Sequence, residues 1–335
     1  MHSAADSFQT LEHHELAPTG QTLRRAGIAG LGAAFPETAV SSDQIAERLG
    51  VPAGWIERRT GIVSRRRADA KTRVTDLAAA AGSAALAEAD IDPAAIDTVM
   101  VATLAPDELT PNAAPQVAHA LGASRAGAMD IGAACTGFLS ALTLGGGLIE
   151  AGRAGNVLVI GAEVLSRFTN PDDRSTAGLF GDGAGAAVLV PGDGAVIGRS
   201  VLGSDGAAAP YILAEHGGYI AMDGHETFKR AVTTLANSAV ETVAANGLAL
   251  DDIALFVLHQ ANGRILTAVG ETLGIGSERL LDAIAEVGNT SAASIPLALV
   301  EARRRGLLHP GDRVLLGAVG AGFTWGSTVI EWGQA

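Results

Sequence analysis

Alternation and periodicity of apolar residues divide the chain into strands and helices that take turns. Arg25 to Phe35 reads as a glycine-punctuated strand ending at Pro36, and Ser41 to Leu49 as a helix opened by Ser and Asp caps. Thr75 to Ala89 predicts an Ala-rich helix, Asp97 to Leu104 a strand, and Asn112 to Leu121 a short helix. Phe138 to Ile149 is apolar and Gly-rich, the pattern of a helix buried on every face. Strands follow at Asn156 to Ala162 and Gly185 to Val190, with LFGDGAG between them. That glycine cluster leads into a strand, so it reads as close backbone packing and not as a phosphate loop. Gly30-Leu-Gly32 is no dinucleotide loop either, because a third glycine is missing and Pro36 stands where a helix should open.

The second half of the chain repeats the first. ADIDPAAIDTVMVAT from Ala89 lies over NGLALDDIALFVLHQ from Asn246 at an offset of 157 residues, Ile96 on Ile253. GAACTGFLSAL from Gly132 then lies over GNTSAASIPLA from Gly288, and GNVLVIGA from Gly155 over GDRVLLGA from Gly311, both at 156. So long a match implies a duplicated α/β unit. The expected organisation is an extension over residues 1–23, a first half over 24–195 and a second over 196–335. If the halves pack face to face around a pseudo-twofold axis, loops at equivalent strand ends meet in one cleft.

Composition narrows the class. With 335 residues and 48% hydrophobic content the chain can bury one large core or two medium ones. A formal net charge of −13 argues against nucleic acid, so an anionic partner needs a local basic patch. Candidates are Arg58, Arg59, Arg65 to Arg67, Arg174, Lys229 with Arg230, and Arg264. Ile131 to Ile149 carries no charge, but its glycines and hydroxyls fit a buried helix better than a membrane span. One cysteine excludes an internal disulfide, and the first residues lack a signal-peptide pattern, so the expected location is a reducing cytoplasm. The eight histidines are scattered and the lone cysteine has no neighbour at ligand spacing, so no metal site is expected.

The one cysteine, Cys135, is set among small residues, with Gly132, Ala133 and Ala134 before it and Gly137 after. The backbone can turn tightly there and another molecule can approach closely. At the start of a helix, unpaired N–H groups favour a thiolate over a thiol. His259 ends the apolar strand IALFVLHQAN, and Asn289 lies in the turn VGNTSAAS, the duplicate of the turn holding Cys135. Read singly, these are a buried thiol, a hydrogen-bonding His and a turn Asn. Read with the duplication, they are a nucleophile able to hold an acyl group and two polar groups able to face its partner substrate. A papain-like hydrolase uses the same residue types, so the types alone do not separate transfer from hydrolysis.

The ordered motifs do. AACTGF around Cys135, HQANGRI from His259, GNTSAASIPLAL from Gly288, GAGFTWG from Gly320, WIERRTGI from Trp55 and FGDGAGA from Phe180 resemble the β-ketoacyl-acyl carrier protein synthase III enzymes of the thiolase superfamily. The resemblance runs from about Arg24 to Trp332. It implies a thiolase-like fold, two duplicated α/β halves in a five-layered αβαβα sandwich. It also implies a two-stage reaction that starts fatty-acid or polyketide chains with no cofactor. Cys135 takes the acyl group of an acyl-CoA, then a malonyl thioester, typically on acyl carrier protein, loses CO2 and its carbanion attacks the acyl-cysteine. His259 and Asn289 hydrogen-bond the malonyl thioester oxygen, and backbone N–H groups of Cys135 and of the Gly320 to Gly322 loop form the oxyanion site. Ala321 replaces the middle glycine of that loop in many relatives, which matters only if the position needs a positive φ.

By the same resemblance Trp55 and Arg174 sandwich the CoA adenine, Arg59 lies near the phosphates, and His225 and Phe228 line the pantetheine channel. Lys229, Gln260 and Arg264 meet the acidic carrier protein. Glu271 departs from this pattern, standing where relatives carry lysine, and would repel an acidic partner. A different carrier, or malonyl-CoA, is therefore an open alternative. Thr110 matches a position that the neighbouring subunit of a homodimer places at the far end of the acyl tunnel. Its small size predicts primers longer than acetyl, or branched. The competing readings are a non-condensing acyltransferase of the same fold, a cysteine thioesterase or hydrolase, and a non-catalytic scaffold. Retention of both His259 and Asn289 favours decarboxylation, and an apolar setting for Cys135 disfavours hydrolysis.

Overall fold

The computed structural model describes residues 24–192 and 194–333, so the expected extension over 1–23 lies outside the described residues. The first half runs β1 (Ala26–Ala34), β2 (Thr38–Ser41), α1 (Ser42–Leu49), α2 (Glu57–Thr60), β3 (Ser64–Arg67), α3 (Val74–Glu88), β4 (Thr98–Ala102), α4 (Ala113–Leu121), β5 (Gly127–Ile131), α5 (Gly137–Glu150), β6 (Val157–Val164) and β7 (Asp182–Pro191). The second runs β8 (Ala195–Ser204), β9 (Ile212–Leu213), β10 (Ala221–Met222), α6 (Gly224–Ala245), β11 (Leu255–Leu258), α7 (Gly263–Leu273), α8 (Ser294–Arg304), β12 (Arg313–Gly320) and β13 (Thr324–Glu331). The elements expected from periodicity are present, with ends moved by one to three residues. Ser41 caps α1 as its sequence suggests: its Oγ accepts from Gln44 N at 3.1 Å while Gln44 Oε1 accepts from Ser41 N at 2.8 Å.

Nine strands form the main sheet in the order β5-β4-β6-β7-β1-β8-β13-β12-β11. The duplication is visible in that order. β4-β6-β7-β1 and β11-β12-β13-β8 share one pattern, a parallel first pair followed by antiparallel pairs. The two sets join where β1 and β8 pair antiparallel over only Gly27 with Val196 and Ile28 with Ala195. β5 has no full counterpart; one parallel bridge from Phe256 to Leu280 marks its place beside β11.

Five layers result. On the outer face of the first set, Leu77, Ala81 and Ala85 of α3 pack on Val99, Ile160 and Val188. On the outer face of the second, Leu235 of α6 and Leu266 of α7 pack on Phe256 and Leu315. Between the sets lie α5 and α8, whose Phe138, Leu142, Ile295 and Leu299 share one core with Met100, Val159, Val257 and Leu316. Each fully buried side chain of that size contributes about 2 kcal/mol, so this middle layer welds the halves together. The expectation that α5 is buried on every face needs correction. Leu144 is 51% exposed and Gly147 is exposed, because one stripe of the helix turns away from both sets of strands.

Several glycines are there for close approach. A Cβ on Gly32 would stand 2.1 Å from the Ala81 carbonyl oxygen, so Gly32 lets α3 press on β1. Gly181, just before β7, and Gly185, within it, do the same for the turn at Val287 and for Pro296 of α8. The reading of these clusters as close backbone packing agrees with the structure.

The turns ahead of α5 and α8 correct the alignment by one residue. Each is a short 3-10 turn opened by a residue at positive φ, Ala134 at +46° and Ser291 at +48°. Superposing those two residues keeps the offset at 157, so Cys135 is matched by Ala292. Ser291, which the 156 offset lays on Cys135, instead matches Ala134.

Candidate active site

One cavity of about 650 Å³ opens where the two matched turns meet. Cys135, His259, Asn289, Ala321, Trp55, Arg59, Arg174 and Phe228 all line it. Cys135 lies in the turn Ala134–Thr136 and is half-buried, on the cavity wall. Gly320, at the end of β12, lies so close over it that a Cβ there would stand 2.8 Å from Cys135 N. The thiol does not gain the thiolate character expected of a helix start. Burial pushes it up to about 11, and the nearby Ser291 hydroxyl only partly offsets this. The 3-10 turn also separates Cys135 from α5 proper, which begins at Gly137.

His259 follows β11, its N–H donating to the Gly317 carbonyl at 2.7 Å. Its side chain is buried, Nδ1 has no partner, and burial lowers its pKa to about 4. The imidazole is therefore neutral at physiological pH. Asn289 is fixed by its backbone, with N donating to the Leu179 carbonyl at 2.9 Å and its own carbonyl accepting from Gly181 N at 3.0 Å. Its side-chain Oδ1 accepts from Ser291 N at 2.9 Å. This settles the orientation of the amide: Nδ2, held only by a 3.5 Å contact to the Ala261 carbonyl, is left to donate.

The site therefore combines a protonated thiol, a neutral imidazole and an amide donor. The charges along the wall are elsewhere. Arg59 stacks on Trp55 with its guanidinium 4.3 Å from the ring centroid, and Arg174 donates to the Leu49 carbonyl at 3.1 Å. An indole stacked with one guanidinium, with a second guanidinium on the same cavity wall, suits a nucleotide with its phosphates. Ala321 is not among the non-glycine residues at positive φ, whereas Gly322 lies at +131°, so alanine stands in the loop without backbone strain.

Two of the expected contacts need correction. Gln260 is 1% exposed, and its side chain donates to the Leu258 and Leu281 carbonyls while accepting from Ala283 N. It ties β11 to the following loops and offers nothing to a docking protein. His225 is exposed on the first turn of α6 and is not a lining residue; Phe228, one turn on, is. Lys229 and Arg264 are exposed, Lys229 paired with Glu226 at 3.1 Å. Glu271 is exposed too, two turns from Arg264 on α7, so the two present opposite charges along one face. Thr110 is exposed and outside the cavity of its own chain.

The 3-oxoacyl-[acyl-carrier-protein] synthase III family model matches residues 129–206, and its C-terminal companion matches residues 243–332. β-Ketoacyl-[acyl-carrier-protein] synthase III 2 of Streptomyces coelicolor is 46% identical over 318 residues, covering 93% of this chain and 96% of that one. The chain belongs to the synthase III family of the thiolase superfamily. The crystal structure of 3-oxoacyl-(acyl carrier protein) synthase III from Pseudomonas aeruginosa PAO1 matches with a TM-score of 0.89 at 42% identity, over 93% of this chain and 99% of that one. The priming β-ketosynthase of the R1128 polyketide pathway matches with a TM-score of 0.89 at 34% identity, over 95% and 99%. A 3-oxopimeloyl-[acyl-carrier-protein] synthase of Rhodothermus marinus is 44% identical over 94% of this chain and 96% of that one. As a synthase III, the protein is a condensing enzyme of Claisen type.

Sequence reasoning missed two buried residues of this synthase III site. Glu163, near the end of β6, is fully buried and accepts from Thr103 Oγ1 at 3.2 Å and from the Leu104 and Ala292 N–H groups. Ser291, although inside a motif, was not read apart from its neighbours. A carboxylate in a strand of otherwise apolar residues, VLVIGAEV, was the available signal.

The depressed pKa of His259 has a checkable consequence. Its native value, about 4, lies below the ordinary 6.5, so the folded protein resists a proton that the unfolded chain accepts. The resulting loss of stability begins as pH falls through about 6.5 and grows down to about 4. In ring-carbon NMR spectra the His259 resonance, assigned by its disappearance in His259→Asn, should titrate near the lower value. A midpoint near 6.5 would contradict the buried neutral imidazole.

Proposed function

We propose that the protein takes an acyl group from acyl-CoA onto Cys135 and condenses it with a malonyl thioester, releasing CO2 and a 3-oxoacyl thioester. The observation that carries this reading is the convergence of Cys135, His259 and Asn289 on one cavity that is also lined by Arg174 and by Trp55 with Arg59 stacked on it. In the first stage the thiol gives its proton to the neutral imidazole of His259 as sulfur attacks the thioester carbonyl. The proton then goes to the departing CoA sulfur. Backbone N–H groups of Cys135 and Ala321 face the oxyanion. In the second stage malonyl loses CO2, and charge gathers on its thioester oxygen. The Asn289 amide and the His259 imidazole donate to that oxygen, each worth on the order of 3 kcal/mol in a dry site. The carbanion attacks the acyl-cysteine carbonyl, the carbon–sulfur bond breaks, and the expelled Cys135 thiolate takes a proton from solvent to restore the thiol.

An acyltransferase without condensation would have no use for an amide donor oriented as Asn289 is. A hydrolase would need water at a thiol that lies under Gly320 among apolar walls. Among the described lining residues Arg59 and Arg174 are the only cationic ones, and both belong to the nucleotide end. A primer ending in a methyl group is therefore preferred over one ending in a carboxylate. The opposed charges of Arg264 and Glu271 keep malonyl-CoA in play beside a malonyl carrier protein. We also place the enzyme in the cytoplasm as a homodimer. β5 is an edge strand, and beside it Leu109 is 84% exposed and Met129 is exposed. Such an apolar edge is a surface for a second subunit, and Thr110 on it would reach the partner's tunnel. Sedimentation equilibrium should give twice the 33.7 kDa chain mass; a monomer would remove both the pairing and the role of Thr110.

Intact-protein mass spectrometry after mixing with acyl-CoAs tests the primer. Octanoyl- and isobutyryl-CoA should leave their acyl masses on Cys135, and glutaryl-CoA should not. Acetyl-only loading would overturn the prediction from Thr110. Asn289→Ala should still load but discharge to malonyl donor at least tenfold more slowly. Discharge at the wild-type rate would remove Asn289 from the second stage.

A further inference from the structure

Near Cys135 lies a buried carboxyl group that the two-stage reaction does not use. Glu163 sits on the face of β6 that carries Val157 and Val159 into the middle layer. Its oxygens accept from Thr103 Oγ1, from Leu104 N and, more weakly, from Ala292 N. Ser291, the residue held at positive φ, places its fully buried hydroxyl beside both the Glu163 carboxyl and the Cys135 sulfur. That hydroxyl has no hydrogen bond of ordinary geometry. A serine hydroxyl has one hydrogen to give and can accept others, and leaving a buried one unpaired costs about 1–3 kcal/mol. The polar atoms beside it are a carboxyl that can donate when protonated and a sulfur that needs a donor when it loses its proton.

We infer that Glu163, in its protonated form, donates to Ser291 Oγ and so turns the Ser291 hydrogen onto Cys135 Sγ, making Ser291 a catalytic donor to the sulfur and Glu163 its positioning residue. The inference rests on the reading of Cys135 as the acyl carrier. It adds the group that supports the thiolate twice, when the sulfur attacks acyl-CoA and when it leaves the acyl-enzyme. No proton changes owner along this chain; both links are hydrogen bonds. When Glu163 ionises, the Ser291 hydrogen turns back to the carboxylate, and the sulfur loses its donor and gains a like charge nearby.

The charge state of Glu163 is consistent with this arrangement. Burial raises its pKa to about 8, so the carboxyl is mostly neutral at pH 7, and its charge in turn raises the pKa of Cys135. Among the described residues, Cys135 is the one titratable group that acts on it or is acted on by it. The segment just after β4 contributes Thr103 and Leu104, and the turns before α5 and α8 contribute Cys135, Ser291 and Ala292. Asp182 of β7 pairs opposite Val164 and so points to the other face, where it accepts from Ser166 and Ala68. His259 has no charged neighbour perturbing it.

The test is the rate of Cys135 alkylation by iodoacetamide against pH, read by intact mass on the full chain as wild type, Glu163→Gln and Ser291→Ala. Glutamine keeps a donor toward Ser291 and never ionises. Wild type and Glu163→Gln should agree within twofold at pH 6.5. From pH 8 upward the wild-type rate should climb more shallowly, leaving Glu163→Gln at least fivefold faster at pH 9.5. Ser291→Ala should be about tenfold slower than wild type at pH 6.5. Superimposed profiles for wild type and Glu163→Gln would overturn the inference, and so would an unchanged rate in Ser291→Ala. A purely structural role would shift rates by one factor at every pH and would not bend the profile. Alkylation needs no acyl-CoA, so failure here is distinct from failure of the proposed reaction, which appears as absent acyl loading.

Discussion

The whole arrangement depends on burying α5 and α8 between two sets of strands. Neither helix has enough polar surface to stand in water on that side: Phe138, Leu139 and Leu142 on one and Ile295, Leu297 and Leu299 on the other are all buried. Packing them in one layer forces the turns that begin them to lie together. Those turns hold Cys135 and, a few residues ahead of α8, Asn289. The cavity is thus a consequence of the duplication: two copies of one strand–turn–helix unit, facing each other across a shared core, bring their turns to one place.

Glycines set how closely the parts can meet. Gly320 lies against Cys135 and Gly161 against Ala292, with a Cβ on the latter falling 2.2 Å from the Ala292 carbonyl oxygen. Gly320 therefore brings backbone, with no side chain of its own, against Cys135. Burial of the thiol removes the solvation that a thiolate needs. The thiol stays protonated and the imidazole neutral, so charge arises in the site only as bonds change, where fixed donors are worth most. The permanent cations on the cavity wall are Arg59, stacked on Trp55, and Arg174.

Much of this was legible in the sequence because duplication and chemistry coincided. Cys135, His259 and Asn289 each fall at the end of a strand or in a turn of a repeated segment, and the structure brings all three to one cavity. The repeat could not show its true register at the turns, because matching letters at 156 compete with backbone geometry at 157, and φ is not written in residue types alone. Gln260 and His225 show a second limit. Both lie within one residue of lining positions, yet their side chains point into the protein in one case and to solvent in the other. The thiol's protonation is not legible in sequence, because a helix start shows there whereas the burial that outweighs it depends on the second half of the chain. Glu163 escaped notice for the same reason: its partners come from 60 residues upstream and 129 residues downstream.

Carbon dioxide released per acyl-enzyme in a single turnover tests the central claim most directly. Enzyme acylated on Cys135, freed of excess acyl-CoA and mixed with carboxyl-labelled malonyl donor should release one CO2 for each acyl group lost and yield one 3-oxoacyl thioester. Acyl groups lost without labelled CO2, or CO2 released at the same rate after His259→Ala and Asn289→Ala, would contradict a condensation carried out by these residues in this cavity.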